Sequence, residues 1–288
     1  MGPALRAFAI GMAAALMGAV GSAVAAAERG VPQRIMSLNV CTDLLLLELA
    51  PRARIASVTF LAPEAAQALF PGAAAGIALN HGSAEDIVNV KPDLILDSGL
   101  SNPMIRRIAT RMGVPVIEVK NADSFADIRD VVRQVGAVVG AGARAERLIA
   151  QMDATLAALA AHPPARRLRV VAWSGGSSVP GKGSLTDAIV TAAGAVNIAA
   201  QPGAAESTFG VEELLAAAPD ALLYGGATLG QPSLLNDEGQ HRAVRQLYAG
   251  RRIAYNDITH TCGVPQSADS ARDLRRALAA LPTRGSGR

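Results

Sequence analysis

Glu85-Asp-Ile-Val-Asn-Val-Lys-Pro92-Asp93-Leu-Ile-Leu96-Asp-Ser-Gly99 occurs again, 127 residues later and without a gap, as Glu212-Glu-Leu-Leu-Ala-Ala-Ala-Pro219-Asp220-Ala-Leu-Leu223-Tyr-Gly-Gly226. The first Glu, the Pro-Asp pair, one Leu and the closing Gly are identical, and most other positions exchange like for like. Each copy predicts a short helix, a stop at a proline that has no N–H to continue it, and a buried strand. Duplication accounts for a match of this length better than chance does. The chain therefore predicts two lobes of one design.

The flanking sequence agrees. Short apolar runs rich in β-branched residues lie at Arg34–Leu38, Ile55–Thr59, Leu94–Asp97, Val114–Val119, Leu168–Trp173, Ala221–Tyr224 and Ile253–Tyr255. Helical patterns separate most of them, at Cys41–Ala50, Ala84–Lys91, Asn102–Met112, Ser124–Val139, Ser184–Ala193, Val211–Ala218 and Ala268–Leu281. Strands alternating with helices predict an α/β chain with parallel sheets covered by helices. Ala143–Leu159 has no strand signal; Leu148, Met152, Leu156 and Leu159 share one helical face, and His162-Pro163-Pro164 ends the segment. At about 1.5 Å per residue it makes a rod of roughly 25 Å between two similar halves. The predicted layout is an N-terminal lobe over 33–140, an interlobe helix over 141–162 and a C-terminal lobe over 167–284. A cleft between the lobes is where a small molecule would sit.

Composition narrows the function classes. The chain has 288 residues, 50% hydrophobic and 18% charged, which suffices for one or two sizeable cores. A net charge of +3, 3% aromatic residues and no run of five basic residues argue against a nucleic-acid partner. The N-terminus predicts export: Arg6 precedes a charge-free stretch from Ala7 to Ala27 that closes on small residues, an arrangement expected of a signal peptide over residues 1–27. That stretch is mostly Ala, Gly and Met, weak material for a permanent membrane anchor. The expected product is a soluble, exported protein in the periplasm.

The opening Arg34-Ile-Met-Ser-Leu-Asn39, the two Glu-x6-Pro-Asp units and the mid-chain helix together resemble the Fe/B12-type periplasmic binding proteins. These are receptors of ABC importers for cobalamin, ferric siderophores and haem, and the resemblance runs from about Gln33 to Leu281. It implies two Rossmann-like lobes with parallel sheets joined by a single long helix, the class III arrangement. It also implies a monomer without a resident cofactor, whose cargo is a small metal chelate and whose partner is an inner-membrane ABC permease dimer. In the family, the Glu that opens each unit meets basic residues of the permease, a role that falls here on Glu85 and Glu212. The bland reading of either Glu is that it favours its helix N-terminus. Segments matching contact regions of the cobalamin-binding members are Ser57–Pro63, Trp173–Ser178 and Thr259–Pro265. With strand-end neighbours, they give the expected ligand set: Asn39, Cys41, Phe60, Leu61, Trp173, Ser174, Tyr224, Thr259, His260, Thr261 and Cys262.

The two cysteines leave three readings open. In this architecture Cys41 and Cys262 lie on loops facing the cleft from opposite lobes, and an exported protein with two cysteines usually pairs them. The alternatives are a soft-metal site with His260, or two free buried thiols. His81 is expected to cap or solvate a loop, and His162 and His241 to lie on the surface. No other metal ligands are expected. Gly176–Ser184 resembles a phosphate-binding loop, but Gly183 stands where a magnesium-holding Ser or Thr belongs. An exported hydrolase lacks support: no G-x-S-x-G and no H-E-x-x-H occurs. A bare-metal receptor lacks the convergent ligands it would need.

Overall fold

The computed structural model describes residues 30–99, 103–173, 179–201, 209–225 and 241–282. The expected signal peptide and Ser174 lie outside the described residues. The N-terminal lobe is built on strands β1 (Ile35–Ser37), β2 (Ile55–Thr59), β3 (Ala78–Asn80), β4 (Leu94–Asp97) and β5 (Val116–Glu118). They form one parallel sheet in the order β3-β2-β1-β4-β5. Helices α1 (Val40–Leu49), α2 (Ala62–Gln67), α3 (Ala84–Val90), α4 (Pro103–Arg111) and α5 (Phe125–Val138) connect or follow the strands. Every residue of β1 and β4 is buried, as expected of central parallel strands covered on both faces.

Among the described residues, the second lobe repeats the plan with one strand fewer. Strands β6 (Arg169–Ala172), β7 (Val196–Asn197), β8 (Ala221–Gly225) and β9 (Arg252–Tyr255) pair in parallel in the order β7-β6-β8-β9. Between the lobes runs α6 (Gly142–Ala161), 20 residues and about 30 Å long. The C-terminal lobe adds α7 (Leu185–Ala192), α8 (Val211–Ala217), α9 (Arg242–Leu247), α10 (Asp257–Thr261) and α11 (Ser267–Ala279). The fold is the expected pair of α/β lobes with parallel sheets. On α6 the buried stripe is Ala145, Ile149, Met152 and Leu159, while Leu148 and Leu156 pack against the core from its margin.

Local chemistry explains the boundaries. Ser83, Ser124 and Ser184 each cap a helix by accepting from the backbone N–H three residues on, at 3.1, 3.1 and 3.2 Å, and that third residue is Asp each time. The repeat has a geometric meaning too. Both helices end on a left-handed residue before the proline, Lys91 at φ 49° and Ala218 at φ 42°, an unusual conformation for side-chain-bearing residues. The following aspartates then fasten the neighbouring strand. Asp93 accepts from the N–H groups of Gln33 and Arg34, and Asp220 from that of Arg169 and from the Arg166 guanidinium. A Pro-Asp unit thus sets the register of each lobe's two central strands.

The lobes share one core. A single buried cluster runs from Ile35 and Leu46, through Ile149 and Met152 of α6, to Cys262, Val264 and Leu274. Arg275 on α11 ties the C-terminal ends of α6 and α7 together. Its guanidinium donates to the carbonyls of Leu159 (2.6 Å), His162 (2.7 Å), Ala192 and Ala193 (both 2.9 Å). Those carbonyls are the orphans that any helix end leaves. Arg275→Met keeps the apolar stem but strips all four donors. It is expected to cost about 2 kcal/mol, read as a lower urea midpoint at unchanged m-value.

Candidate functional site

In open parallel sheets, ligands gather at the carboxyl ends of the strands. Here β2 delivers Phe60 and Leu61 there, β3 delivers His81, and β9 delivers Tyr255 and Asn256. A cleft of about 570 Å³ opens between the lobes, a size typical of small-molecule sites. Val40, Leu61, Glu64, Ala65 and Ala68 form its N-terminal wall; Tyr255, Asn256, Asp257, Ile258 and Thr261 form the other. The walls are mostly apolar, with polar groups concentrated at the start of α10.

The floor of the N-terminal wall is a buried polar network. Asp43 on α1 is fully buried and accepts the backbone N–H and hydroxyl of Thr59, the residue just before the Phe60-Leu61 tip. Burial outweighs those hydrogen bonds and pushes its carboxyl up from 3.8 to about 6. Asn80 donates to Ser57 and to the Ser37 carbonyl, tying the ends of three strands together. Above the network Phe60 is half exposed and stacks on His81, ring centroids 4.8 Å apart.

On the facing wall the Tyr255 phenol is pushed up to about 12, first by burial and then by the charge of Asp257. It is therefore a protonated hydrogen-bond donor at neutral pH. Behind it His260 packs against its ring at 4.1 Å, with Nδ1 3.2 Å from the Thr186 hydroxyl and Nε2 buried without a partner among the described residues. Burial pushes this imidazole down from 6.5 to about 4, so it is neutral. Gly225 at the end of β8 lies directly under the Asp257 carboxylate, where any Cβ would collide with it.

Of the residues expected at the ligand, Leu61 and Thr261 line the cleft, while Phe60, next to Leu61 in the chain, is half exposed and is not part of the lining. Asn39 caps α1 by accepting from the Cys41 N–H at 2.8 Å. Trp173 is 3% exposed, and its indole N–H donates to the Phe209 carbonyl at 2.7 Å, so its ring faces the C-terminal core. Tyr224 carries the Arg252 guanidinium 5.1 Å above its ring. Thr259 and His260 were expected on a loop; the structure has the five-residue helix α10 there, which turns both inward, the Thr259 hydroxyl bonding to Ser270 and the Asn256 carbonyl. Tyr255, Glu64, Asn256 and Asp257 were missed. Tyr255 and Asn256 carried a usable signal, since Tyr255 ends a predicted strand and Asn256 follows it directly.

Cys41 and Cys262 form a disulfide that joins the first turn of α1 to the end of α10, Cα atoms 5.0 Å apart. Neither sulfur is a thiolate, which removes the soft-metal reading. Among the described residues no group of three or more His, Cys, Asp or Glu side chains could hold a metal ion. The staple is the first of two ties along one helical face. Two turns further along α1, Glu48 accepts from the Gln266 side-chain amide at 2.6 Å. Between them Gly263 packs against Ala122 and Ile128 so closely that a Cβ would meet the Ala122 Cβ at 2.4 Å.

A family model described as periplasmic binding protein matches residues 77–251, more than half of the chain. No curated protein matches it. Among solved structures, the periplasmic heme-binding protein RhuT from Roseiflexus sp. RS-1, in apo form, is 26% identical, with 85% of this chain and 97% of that chain covered at a TM-score of 0.69. The periplasmic heme-binding protein HutB of Vibrio cholerae is 18% identical (85% and 98% covered, TM-score 0.69). The periplasmic vitamin B12 binding protein BtuF of the same organism is 17% identical (86% and 97%, TM-score 0.62). All three of these neighbours bear the names of periplasmic binding proteins. Among the described residues no helix is long and apolar enough to cross a membrane. With a match of that extent over the repeat and the interlobe helix, the chain belongs to the periplasmic binding protein family.

Proposed function

We propose that the protein is an exported receptor that captures a metal chelate between its lobes and delivers it to an inner-membrane ABC permease. The interlobe cleft carries this reading: apolar walls from both lobes and a few polar groups suit a bulky chelate better than a bare ion. The names of the structural neighbours support the same class, since they specify heme and vitamin B12. Ferric siderophores, corrinoids and haem all fall within it.

Delivery falls to Glu85 and Glu212. Both are exposed, in the first turns of α3 and α8, at equivalent positions of the repeat. Val88 and Leu215, one turn further on, are also equivalent and are 52% and 39% exposed. Each lobe thus offers the same pair, a carboxylate with an apolar neighbour, and two such pairs suit a two-fold partner by charge complementarity. Charge reversal at both sites (Glu85→Arg with Glu212→Arg) is expected to abolish chelate uptake in cells while leaving chelate affinity of the purified protein within about twofold. Unchanged uptake would remove the docking assignment.

A further inference from the structure

The charges lining the cleft are all of one sign. Glu64 at the start of α2 contributes a carboxylate from one lobe and Asp257 at the start of α10 contributes one from the other. Asn256, Thr261 and the protonated Tyr255 are the remaining polar groups, and no Lys, Arg or His belongs to the described lining. Nor can the internal stretches outside the described residues supply a cation. Residues 100–102, 174–178, 202–208 and 226–240 contain no Lys, Arg or His. The chain as a whole carries a net charge of +3; the cleft reverses that sign.

A ligand carboxylate or catecholate brought against these walls would lose its water and meet like charge with no guanidinium or ammonium to pair it. An unpaired ion is costly to desolvate. A ligand presenting amide or ammonium N–H groups gains charge-assisted hydrogen bonds from the same carboxylates. Discrimination by such a repulsive element is as effective as an added attractive one. We infer that the cleft selects metal chelates without net negative charge, neutral or cationic complexes that turn N–H donors toward Glu64 and Asp257, and rejects polyanionic ones. This rests on the receptor reading and narrows it: amide-rimmed corrinoids and ferric hydroxamates fit, while ferric tris-catecholates and a porphyrin with free propionates do not.

Four probes separate the cases by calorimetric titration of the purified mature protein: a cationic ferric trihydroxamate with a free ammonium group, cyanocobalamin, a ferric tris-catecholate, and haem. At least one of the first two is expected to bind at least tenfold more tightly than either of the last two. Glu64 is exposed and makes no hydrogen bond or ion pair among the described residues, so Glu64→Gln and Glu64→Lys should leave the melting temperature unchanged. Glu64→Gln is expected to weaken the cationic complex about fivefold, and Glu64→Lys to reverse the preference between cationic and anionic chelates. In the unaltered protein, added salt should slow association of the cationic complex. Tightest binding of a polyanion, or a preference indifferent to Glu64→Lys, would overturn the charge assignment while leaving a chelate receptor in place. Binding of none of the four would overturn the receptor reading, and the charge assignment with it.

Discussion

Removing the Cys41–Cys262 disulfide, through Cys41→Ala with Cys262→Ala, is expected to destabilise the protein by about 3–5 kcal/mol. The two cysteines are separated by 221 residues, so the bond closes nearly the whole described chain into one loop. In the chain-entropy account, stabilisation grows with the logarithm of loop length, which puts this bond at the upper end of the usual range. The native state holds the bond without a separate interface of its own, because Cys262 is fully buried in the core shared by both lobes. Its loss should appear as a melting temperature lower by roughly 10 °C. A reducing agent added to the unaltered protein should bring it down to the same value. Melting within a degree or two of the unaltered protein would mean that the shared core and the Glu48–Gln266 contact suffice to hold the lobes together. The same variant bears on function. The staple and the Glu48–Gln266 contact hold α1 against the 262–266 segment, so under the receptor proposal the variant is also expected to change ligand affinity.

How much of this was legible in sequence differs by element. The central strands declared themselves because parallel strands buried on both faces must be continuous apolar runs, as at Ile55–Thr59 and Leu94–Asp97, whose predicted limits match the observed ones. Among the described edge strands, Val116–Glu118 and Arg252–Tyr255 fell within or close to predicted runs, but the other two did not. Ala78–Asn80 buries one residue of three, and Val196–Asn197 is two residues long, so neither carries a periodic signal. Helix α10 was hidden for a different reason. Asp-Ile-Thr-His-Thr is a poor helix former by intrinsic preference, and the turn exists because Asn256 caps it at the Ile258 N–H. That missed turn accounts for the misplacement of Thr259 and His260. The repeat showed that a Pro-Asp unit recurs, but not that Asp93 and Asp220 hold neighbouring strands, since the residues they grip lie about 50–60 positions away. For the cleft, sequence could mark which strand ends face it. Which side chains reach it depends on packing, as Trp173 shows by turning inward.

Two buried groups on opposite lobes are expected to give the protein opposing pH dependences, each of about 3 kcal/mol, that separate only in variants. Asp43 is shifted from 3.8 to about 6 by burial, against the hydrogen bonds from Thr59. Between pH 4 and 6 the native state therefore holds a proton that the unfolded chain has released, and stability falls as pH rises through that window. Glu48, raised by burial against its bond from Gln266 and the nearby Arg144 charge, acts in the same direction. His260 works the other way. Its shift from 6.5 to about 4 means that the unfolded chain takes up a proton the native state refuses, so stability rises with pH between 4 and 6.5. In the unaltered protein these contributions largely offset one another. Asp43→Asn removes the first and exposes the second: relative to the unaltered protein, it should lose stability on acidification from pH 7 to 4.5. His260→Gln, which can keep a hydrogen bond to Thr186, should become relatively more stable over the same change. Urea midpoints at the two pH values for the three proteins decide it, because the two variants must depart in opposite directions. Parallel shifts, or none, would mean that neither group changes its proton affinity on folding. The Asp43 network under the Phe60-Leu61 tip would then act purely as a scaffold, without the charge balance inferred from its burial.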